Sequence, residues 1–518
     1  MDDTRFSVRE ISESMDGTKL VVNNFSMMIA SINGSGSQTS NMALIRALFR
    51  MGIPVSGKNM FPSNIQGLPT WYTIRVSSDG YTARCETIEI LVAMNQATFE
   101  DDLRGLAKGG VCFYPDYFNV SLERTDVVYY PMSIRTLVRE VNPPKELKDY
   151  IINMGYVGVV AEILGIELSE IRGALETHFK SKVRSVELNM LMVEKAATWA
   201  RENLIKRDHY QVIRDNRTDN MIMIDGNTAA ALGAIYGGMS FCAWYPITPA
   251  SSLADALDEY LPQLRKDTET GKATYAVIQA EDELAAIGMA VGAGWAGARA
   301  MTSTSGPGIS LMAEFAGLAF LAEIPLVVWD VQRMGPSTGL PTRTSQGDVL
   351  FVHFLGHGDT RQIMLLPGSV SECFEFGWRA FDLAERLQTP IFILSDLDLG
   401  MNHWMATSFS YPDQLMDRGK VLTVEELDDL EVFARYKDVD GDGIAYRTLP
   451  GTDHPLAGYF TRGTGHNERA IYSERSEDWE ANITRLWRKF ETAKEYLPHP
   501  ILHQMDGARI GLIAYGST

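Results

Sequence analysis

Cysteine is scarce in this chain: four in 518 residues, at Cys85, Cys112, Cys242 and Cys373. None forms a CxxC pair and none stands at metal-ligand spacing from a histidine, so an iron–sulfur cluster or zinc site within the chain is not expected, and the thiols read as buried and reduced. Basic residues are also in short supply. Lys and Arg number 47 against 66 Asp and Glu, for a formal charge of −19. With no net positive field and no long Lys/Arg block, broad nucleic-acid binding is excluded, although one locally basic anion cleft remains compatible. No apolar run is long enough to span a bilayer, and the first residues are acidic and polar without a signal core. Cytoplasm is therefore the expected compartment.

What is present is material for two to four separate cores, since 45% of the residues are hydrophobic. The densest chemistry lies in residues 224–350. Apolar runs of strand length at 241–245, 275–278, 299–303 and 326–330 alternate with Ala- and Leu-rich runs of helix length, separated by turns of Gly, Pro, Ser and Thr. The same grammar continues with a strand at 363–366, a helix at 370–387 and a strand at 391–394. Near-continuous apolar strands flanked by helices predict an α/β fold whose parallel sheet is covered on both faces. Ligands of such sheets bind beyond the carboxyl ends of the strands.

This domain is expected to span 221–495. Ahead of it stand a polar leader at 1–24, an α/β module at 25–205 and a linker at 206–220. In the module a strand at 25–32 enters the turn Asn33-Gly34-Ser35-Gly36-Ser37-Gln38, followed by a helix at 41–51. Strand, glycine turn and helix suit an anionic or nucleotide ligand, but Thr39 stands where GxGxxG has its third glycine, so a plain tight turn stays open. Residues 62–70, with Pro62, Gly67 and Pro69, read as a loop closing against a strand at 71–76: a pocket wall, a subunit contact or a simple connection. A second linker is expected at 496–507. A strand at 509–515 then opens what reads, in 508–518, as the start of a further α/β domain.

Four side chains at strand ends attract attention. Pro246 and Pro249 bracket Thr248 with fixed φ angles, so its hydroxyl is held either to orient a carboxylate or carbonyl, or simply to shape a turn. Glu281, Asp282 and Glu283 stand at a helix start, where acids offset unsatisfied amides. Glu283 differs because Leu284-Ala285-Ala286-Ile287-Gly288 follows it. A carboxylate at that apolar edge is open to a raised pKa, and plain capping is the alternative. Arg333 and Arg343 flank a Gly/Pro/Thr-rich loop and are bidentate donors suited to carboxylates, or else surface arginines. Asn227 or Thr228 reads as a helix cap. Residues 304–308 read as a tight turn before a helix starting near Ser310.

Taken jointly, Asp225-Gly226-Asn227-Thr228, Tyr245-Pro246-Ile247-Thr248-Pro249, Glu281-Asp282-Glu283-Leu284-Ala285-Ala286, Thr302-Ser303-Thr304-Ser305-Gly306-Pro307-Gly308 and Gln332-Arg333 with Gly335-Pro336-Ser337-Thr338-Gly339 resemble the thiamine-diphosphate-dependent 2-oxoacid:ferredoxin oxidoreductases. The likeness is greatest to alpha subunits of the 2-oxoglutarate enzymes that carry a gamma domain fused at the N-terminus. It implies a pyrimidine-binding type domain preceded by a gamma-type α/β domain. It also implies oxidative decarboxylation of a 2-oxoacid, with 2-oxoglutarate first and pyruvate, a branched-chain or an aryl 2-oxoacid as alternatives. Coenzyme A would be the co-substrate and ferredoxin the electron acceptor. A beta subunit would hold thiamine diphosphate, Mg²⁺ and a [4Fe–4S] cluster in an α2β2 heterotetramer. Under the resemblance Glu283 contacts the aminopyrimidine ring of the cofactor, with Tyr245 and Pro246 beside it. Thr248 and Arg333 hold the 2-oxoacid, and Arg343 offers a contact for a distal carboxylate. A non-catalytic scaffold is the remaining reading, disfavoured by the joint presence of Glu283, Thr248 and Arg333. The family's glycine loop usually carries more glycines than residues 34–39 do. A further domain follows the 509–515 strand in the family, so the chain reads as truncated there.

Near the end, Asp438, Asp440, Asp442 and Gly443 have the 1, 3, 5, 6 spacing of a calcium loop after a helix-like run at 425–436. Position 12 is Leu449 rather than Glu, which favours an ordinary acidic turn.

Overall fold

A computed structural model describes residues 20–62 and 66–518. The first nineteen residues of the leader, and residues 63–65 of the proline-flanked loop, lie outside the described residues. The chain divides into two units, one running through Met223 and including Asn402–Ser408, the other holding Ile224–Met401 and Phe409–Thr518.

The first unit is built on a six-stranded sheet. Its strands are β1 (Asn24–Ile32), β2 (Val55–Met60), β3 (Pro69–Ser77), β4 (Ile88–Ala93), β5 (Leu106–Pro115) and β6 (Val128–Met132), in the order β2-β3-β1-β4-β5-β6. β3 runs antiparallel to both neighbours, and the other pairs are parallel. Helix α1 (Ser37–Arg50) leaves β1 through Gly34 and Gly36, both at positive φ, so it starts four residues before the expected position. The loop ahead of β3, read from the sequence as closing against that strand, is tied to the glycine turn: Gly67 N donates to Asn33 O (3.0 Å) and Asn33 N to Leu68 O (2.8 Å). Helices α2 (Lys148–Leu164) and α3 (Val183–Asn203) complete the core, where Tyr156, Val160, Val193 and Ala196 are fully buried.

Two boundaries differ from the sequence expectation. Residues 206–220 are not a free linker. Tyr210–Gln211 pairs in parallel with Val21–Val22, and Asp215 N and Arg217 N donate to Met51 O and Gly52 O (2.8 and 3.0 Å). Backbone hydrogen bonding, which polar composition does not report, ties this stretch down. Residues 402–408 likewise leave the expected 221–495 domain and lie along β2, with Gly57 bridged to His403 and Asn59 N donating to Asn402 Oδ1 (3.0 Å).

The second unit alternates helix and strand: α4 (Gly226–Tyr236), β7 (Phe241–Trp244), α5 (Ser251–Leu264), β8 (Ala276–Gln279), α6 (Glu283–Trp295), β9 (Ala300–Thr304), α7 (Gly306–Leu321), β10 (Leu326–Gln332), β11 (Ile363–Leu365), α8 (Val370–Leu387) and β12 (Pro390–Asp396). The sheet order is β8-β7-β9-β10-β12-β11, every pair parallel. β10 and β12 are buried along their whole length, which is why each opens on an apolar run, with polar residues only toward the carboxyl end. From β7 the chain moves outward to β8 and then back past β7 to β9. The carboxyl ends of β7 and β9 therefore flank the switch point, where open α/β sheets bind ligands.

Helix α9 (Ser476–Ala493) packs Ile483 and Leu486 on Phe320 of α7. It also brings Arg485 and Lys489 to Glu323, between α7 and β10, at 3.0 and 2.8 Å. The calcium-loop spacing is filled by the protein's own ammonium. Lys420 Nζ donates to Asp440, Asp442 and the Ile444 carbonyl (2.6, 2.8 and 3.0 Å), and the preceding helix covers only Val424–Asp428. The expected strand at 509–515 does not form. Its residues are irregular, with Ile510, Leu512 and Ile513 exposed, and no strand pairs with them among the described residues; without a ladder an apolar run has nothing to hold it extended.

Candidate active site

Four consecutive strand ends converge on the switch point. The β7 exit carries Tyr245, Pro246 and Thr248; the β8 exit leads into α6 at Glu283; the β9 exit enters α7 at Gly306; the β10 exit carries Arg333. The sequence put its candidates at strand ends, and the structure brings three of them together.

Arg333 is the centre of that group. It is buried, at 7% exposure, and its Nη1 donates to the Thr248 carbonyl (2.7 Å) while Nη2 donates to the Thr338 carbonyl (3.1 Å). Burial lowers its pKa, and the negative charge of Glu283 works in the opposite direction. Its Nε has no partner. The guanidinium thus holds the Thr248 loop, feels the charge of Glu283, and has no partner for its Nε among the described residues.

Glu283 is the first residue of α6 and is also 7% exposed. The capping role belongs to its neighbour: the Asp282 side chain accepts from Ala285 N at 2.6 Å. Relieved of that role, Glu283 turns to the wall formed by α7. There Gly308 leaves no room for a side chain, because a Cβ would lie 2.9 Å from Glu283 Cγ and 1.9 Å from Thr304 Oγ1. Gly306 is similarly tight against Asp348, with Oδ2 2.8 Å from the position of a Cβ. These glycines lie inside the first turn of α7, not in a turn ahead of it. Sequence reasoning took them for turn residues because helix interiors disfavour glycine.

Thr248 is half-buried, Tyr245 half-buried and Pro246 exposed. What holds the loop is Asn227, which is fully buried. Its Nδ2 donates to the Pro249 carbonyl (2.9 Å) and to Ser252 Oγ (2.7 Å). The cap of α4 is instead Asp225, which accepts from Thr228 N at 2.8 Å. The sequence offered no signal for the positioning role, since an Asn at a helix start has capping as its ordinary explanation. Arg343 stands across the loop. Its carbonyl accepts from Met334 N (2.9 Å), closing residues 334–343 on themselves, and its Nη1 donates to the Thr342 carbonyl (2.9 Å). It adjoins Arg333 through backbone and is half-buried.

Behind this group lies a carboxyl pair, Asp330 buried and Asp348 half-buried, that has no counterpart in the sequence reading. Asp330, on β10, is fully buried, and neither of its oxygens has a hydrogen-bond partner of ordinary geometry. Burial raises its pKa well above the carboxylate range, and the charge of Asp348 adds to the shift. Burial also raises Asp348. Along β9 and at its exit, Thr302 Oγ1, Ser303 Oγ and Ser305 Oγ are buried without partners among the described residues. Unpaired buried polar atoms are uncommon in finished cores, and several of those in this protein belong to the carboxyl edge of this sheet.

A doubly wound parallel sheet with a carboxylate, an arginine and a held threonine at its switch point defines a cofactor-dependent α/β enzyme domain. The family model for the thiamine-diphosphate-binding domain of pyruvate flavodoxin/ferredoxin oxidoreductases matches residues 232–415, and that for pyruvate ferredoxin/flavodoxin oxidoreductase matches residues 26–199. The chain belongs to the 2-oxoacid:ferredoxin oxidoreductase family, as an alpha subunit. It is 30% identical over 543 residues to the alpha subunit of 2-oxoacid:ferredoxin oxidoreductase 1 from Sulfurisphaera tokodaii, a match covering 95% of this chain and 83% of the relative. Over 300 residues it is 38% identical to the 2-oxoglutarate synthase subunit KorA of Methanothermobacter marburgensis, covering 57% of this chain and 74% of the relative. The solved 2-oxoglutarate:ferredoxin oxidoreductase of Magnetococcus marinus, with 2-oxoglutarate, coenzyme A and succinyl-CoA bound, superposes with a TM-score of 0.83 at 28% identity, covering 94% of this chain and 82% of that one. The crevice fits such a cofactor. Glu283 supplies a carboxylate at its wall, the glycines of α7 keep that wall free of side chains, and Arg333 Nε is a donor in wait. No helix among the described residues is long and apolar enough to cross a membrane.

Proposed function

We propose that this chain is the alpha half of an enzyme converting 2-oxoglutarate, coenzyme A and two oxidised ferredoxins to succinyl-CoA, CO2, two reduced ferredoxins and a proton. The observation that carries the reading is the joint placement of Thr248, Arg333 and Glu283 at neighbouring strand ends. Thiamine diphosphate supplies the nucleophilic carbon and the electron sink when bound. This chain's residues bind and orient. Glu283 holds a proton at the ring nitrogen of the aminopyrimidine, with Tyr245 and Pro246 forming the surface beside it. Arg333, already fixed by two carbonyls, offers its remaining donors to the substrate carboxylate, and the Thr248 hydroxyl takes the carbonyl side. Arg343 reads the distal carboxylate. The partner is a beta subunit carrying the diphosphate and Mg²⁺ site and a [4Fe–4S] cluster, in an α2β2 assembly in the cytoplasm. The four cysteines, free and dispersed, support such a division of labour.

The test is the identity and turnover of the copurifying complex. A partner with cluster-ligating cysteines, and reduction of ferredoxin with 2-oxoglutarate faster than with pyruvate, branched-chain or aryl 2-oxoacids, are the expected results. Turnover restricted to pyruvate moves the substrate assignment, and a complex inactive on every 2-oxoacid leaves the chain a scaffold.

A further inference from the structure

Asp330 and Asp348 take no part in the function proposed above, yet they are built into its wall. In the β9–β10 ladder Asp330 is the direct partner of Thr304, so the two side chains leave the sheet on the same face. Thr304 Oγ1 and Glu283 Cγ converge on the point that a Gly308 side chain would occupy, and Asp348 presses on Gly306 two residues earlier. The first turn of α7 is therefore held between the carboxyl pair and Glu283. Asp348 is itself located by its backbone, which donates to Gln332 Oε1 at 3.1 Å.

Among the described residues no Lys or Arg acts on either carboxyl. Asp396 at the end of β12 is another acid, occupied in accepting from Leu399 N (2.9 Å), Gln346 Nε2 (2.9 Å) and Ser517 N (2.7 Å). Tyr515 brings its hydroxyl to Gln332 (3.2 Å), where burial and then the acids Asp396, Asp330 and Asp348 keep the phenol protonated. Arg333 is turned to the carbonyls of Thr248 and Thr338, and Glu283 lies beyond α7. A buried and a half-buried carboxylate side by side repel, and sharing one proton removes the repulsion.

We propose that Asp330 and Asp348 share a proton at neutral pH and act as positioning residues, holding the first turn of α7 and one net charge behind Glu283. The role for Glu283 rests on the proposed function; the shared proton does not. Loss of that proton places a second negative charge behind the glycine wall, sets the two carboxylates against each other where Asp348 packs on Gly306, and makes the potential at Glu283 more negative. Turnover of the complex then falls on its alkaline side.

The test takes the full chain and the complex in turn. Infrared spectra of the full chain at neutral pH should contain a protonated-carboxyl band worth one group, lost in both Asp330→Asn and Asp348→Asn. In the complex, both variants should lack the wild-type alkaline limb of kcat/KM, or have it moved by about one pH unit or more, with KM for thiamine diphosphate unchanged. A band that survives both substitutions, or is absent from the wild type, overturns the shared proton. A band that is lost while the pH profile stays put overturns the positioning role and leaves a structural pair. If the complex turns over no 2-oxoacid, the proposed function and the positioning role fall together, and the infrared result still decides the shared proton.

Discussion

The two edges of the second unit's sheet treat buried carboxylates in opposite ways. At the amino edge, Glu323 precedes β10 and Glu385 closes α8, and each is met by cations: Glu323 by Arg485 and Lys489, Glu385 by Arg299 and Arg447. Burial alone would raise Glu323, but the charges of Arg485 and Lys489 outweigh it and hold the carboxylate well below its usual range. Lys489 is pulled down by the same burial, to about 8. At the carboxyl edge no Lys or Arg among the described residues acts on Asp330 or Asp348, and Arg333 gives only two of its donors, to backbone carbonyls. One edge is a settled ionic core. The other leaves its carboxyl pair without a cation among the described residues, which suits the charged ligand of the proposed function.

The largest expected effect breaks the settled edge. Glu323→Gln leaves two cations buried without their partner, and equilibrium unfolding should show a loss of about 3–5 kcal/mol. The pH dependence has a definite sign. Glu323 is depressed on folding, so its contribution is present above the ordinary carboxylate range and is lost as pH falls through its folded value. Asp330 is raised, so its contribution is present below that range and is lost as pH rises through its folded value. Glu323→Gln should therefore flatten the acid limb of a stability–pH curve, and Asp330→Asn the opposite limb. Matching behaviour of the two variants would erase the contrast between the edges.

At the open edge the effects should appear in turnover and spare stability. Glu283→Gln in the complex should reduce turnover about 10²-fold or more, within what general acid–base catalysis supplies. Proton exchange at the cofactor's reactive carbon, followed by NMR, locates the defect; exchange at the wild-type rate would remove Glu283 from the proton path. Next in size, Arg333→Lys keeps the charge but loses the fork. Losing one charge-assisted bond of about 1.5–3 kcal/mol should raise KM for the 2-oxoacid roughly 10- to 150-fold, with cofactor affinity unchanged. An unaltered KM would show that the clamp lies elsewhere. Smallest is Arg343→Ala, expected to lower kcat/KM for 2-oxoglutarate about tenfold and spare pyruvate. Equal losses on both substrates would make Arg343 an anchor of the 334–343 loop, the role its bonds to Thr342 and Met334 already describe.

Much of this was legible before any coordinates. Strand runs and their punctuation put Thr248, Glu283 and Arg333 at carboxyl ends, because apolar period and Gly/Pro turns are local signals. What escaped notice depends on neighbours distant in sequence. Asn227 reads as a cap until Pro249 is seen to need its amide. Gly306 and Gly308 read as a turn until Asp348 and Glu283 are found against them. Asp330 reads as the end of a strand, since nothing nearby in sequence shows that its partner will be another acid eighteen positions on. The stretch at 206–220 looked like a linker because its polar residues bond backbone rather than water.

The return of residues 402–408 to β2 bears on how the chain is made. β2 is an edge strand of the first sheet, and its cover is synthesised only after most of the second unit has left the ribosome. During that interval the first unit has a bare edge, which other chains can pair with. A fragment ending at residue 223 would stay in that condition permanently. It should form higher-order species in sedimentation where the full chain does not, and supplying residues 402–408 as a peptide should reverse this. The protein's maturation order is thus written into its connectivity: the first unit to emerge is not closed until the second is well under way.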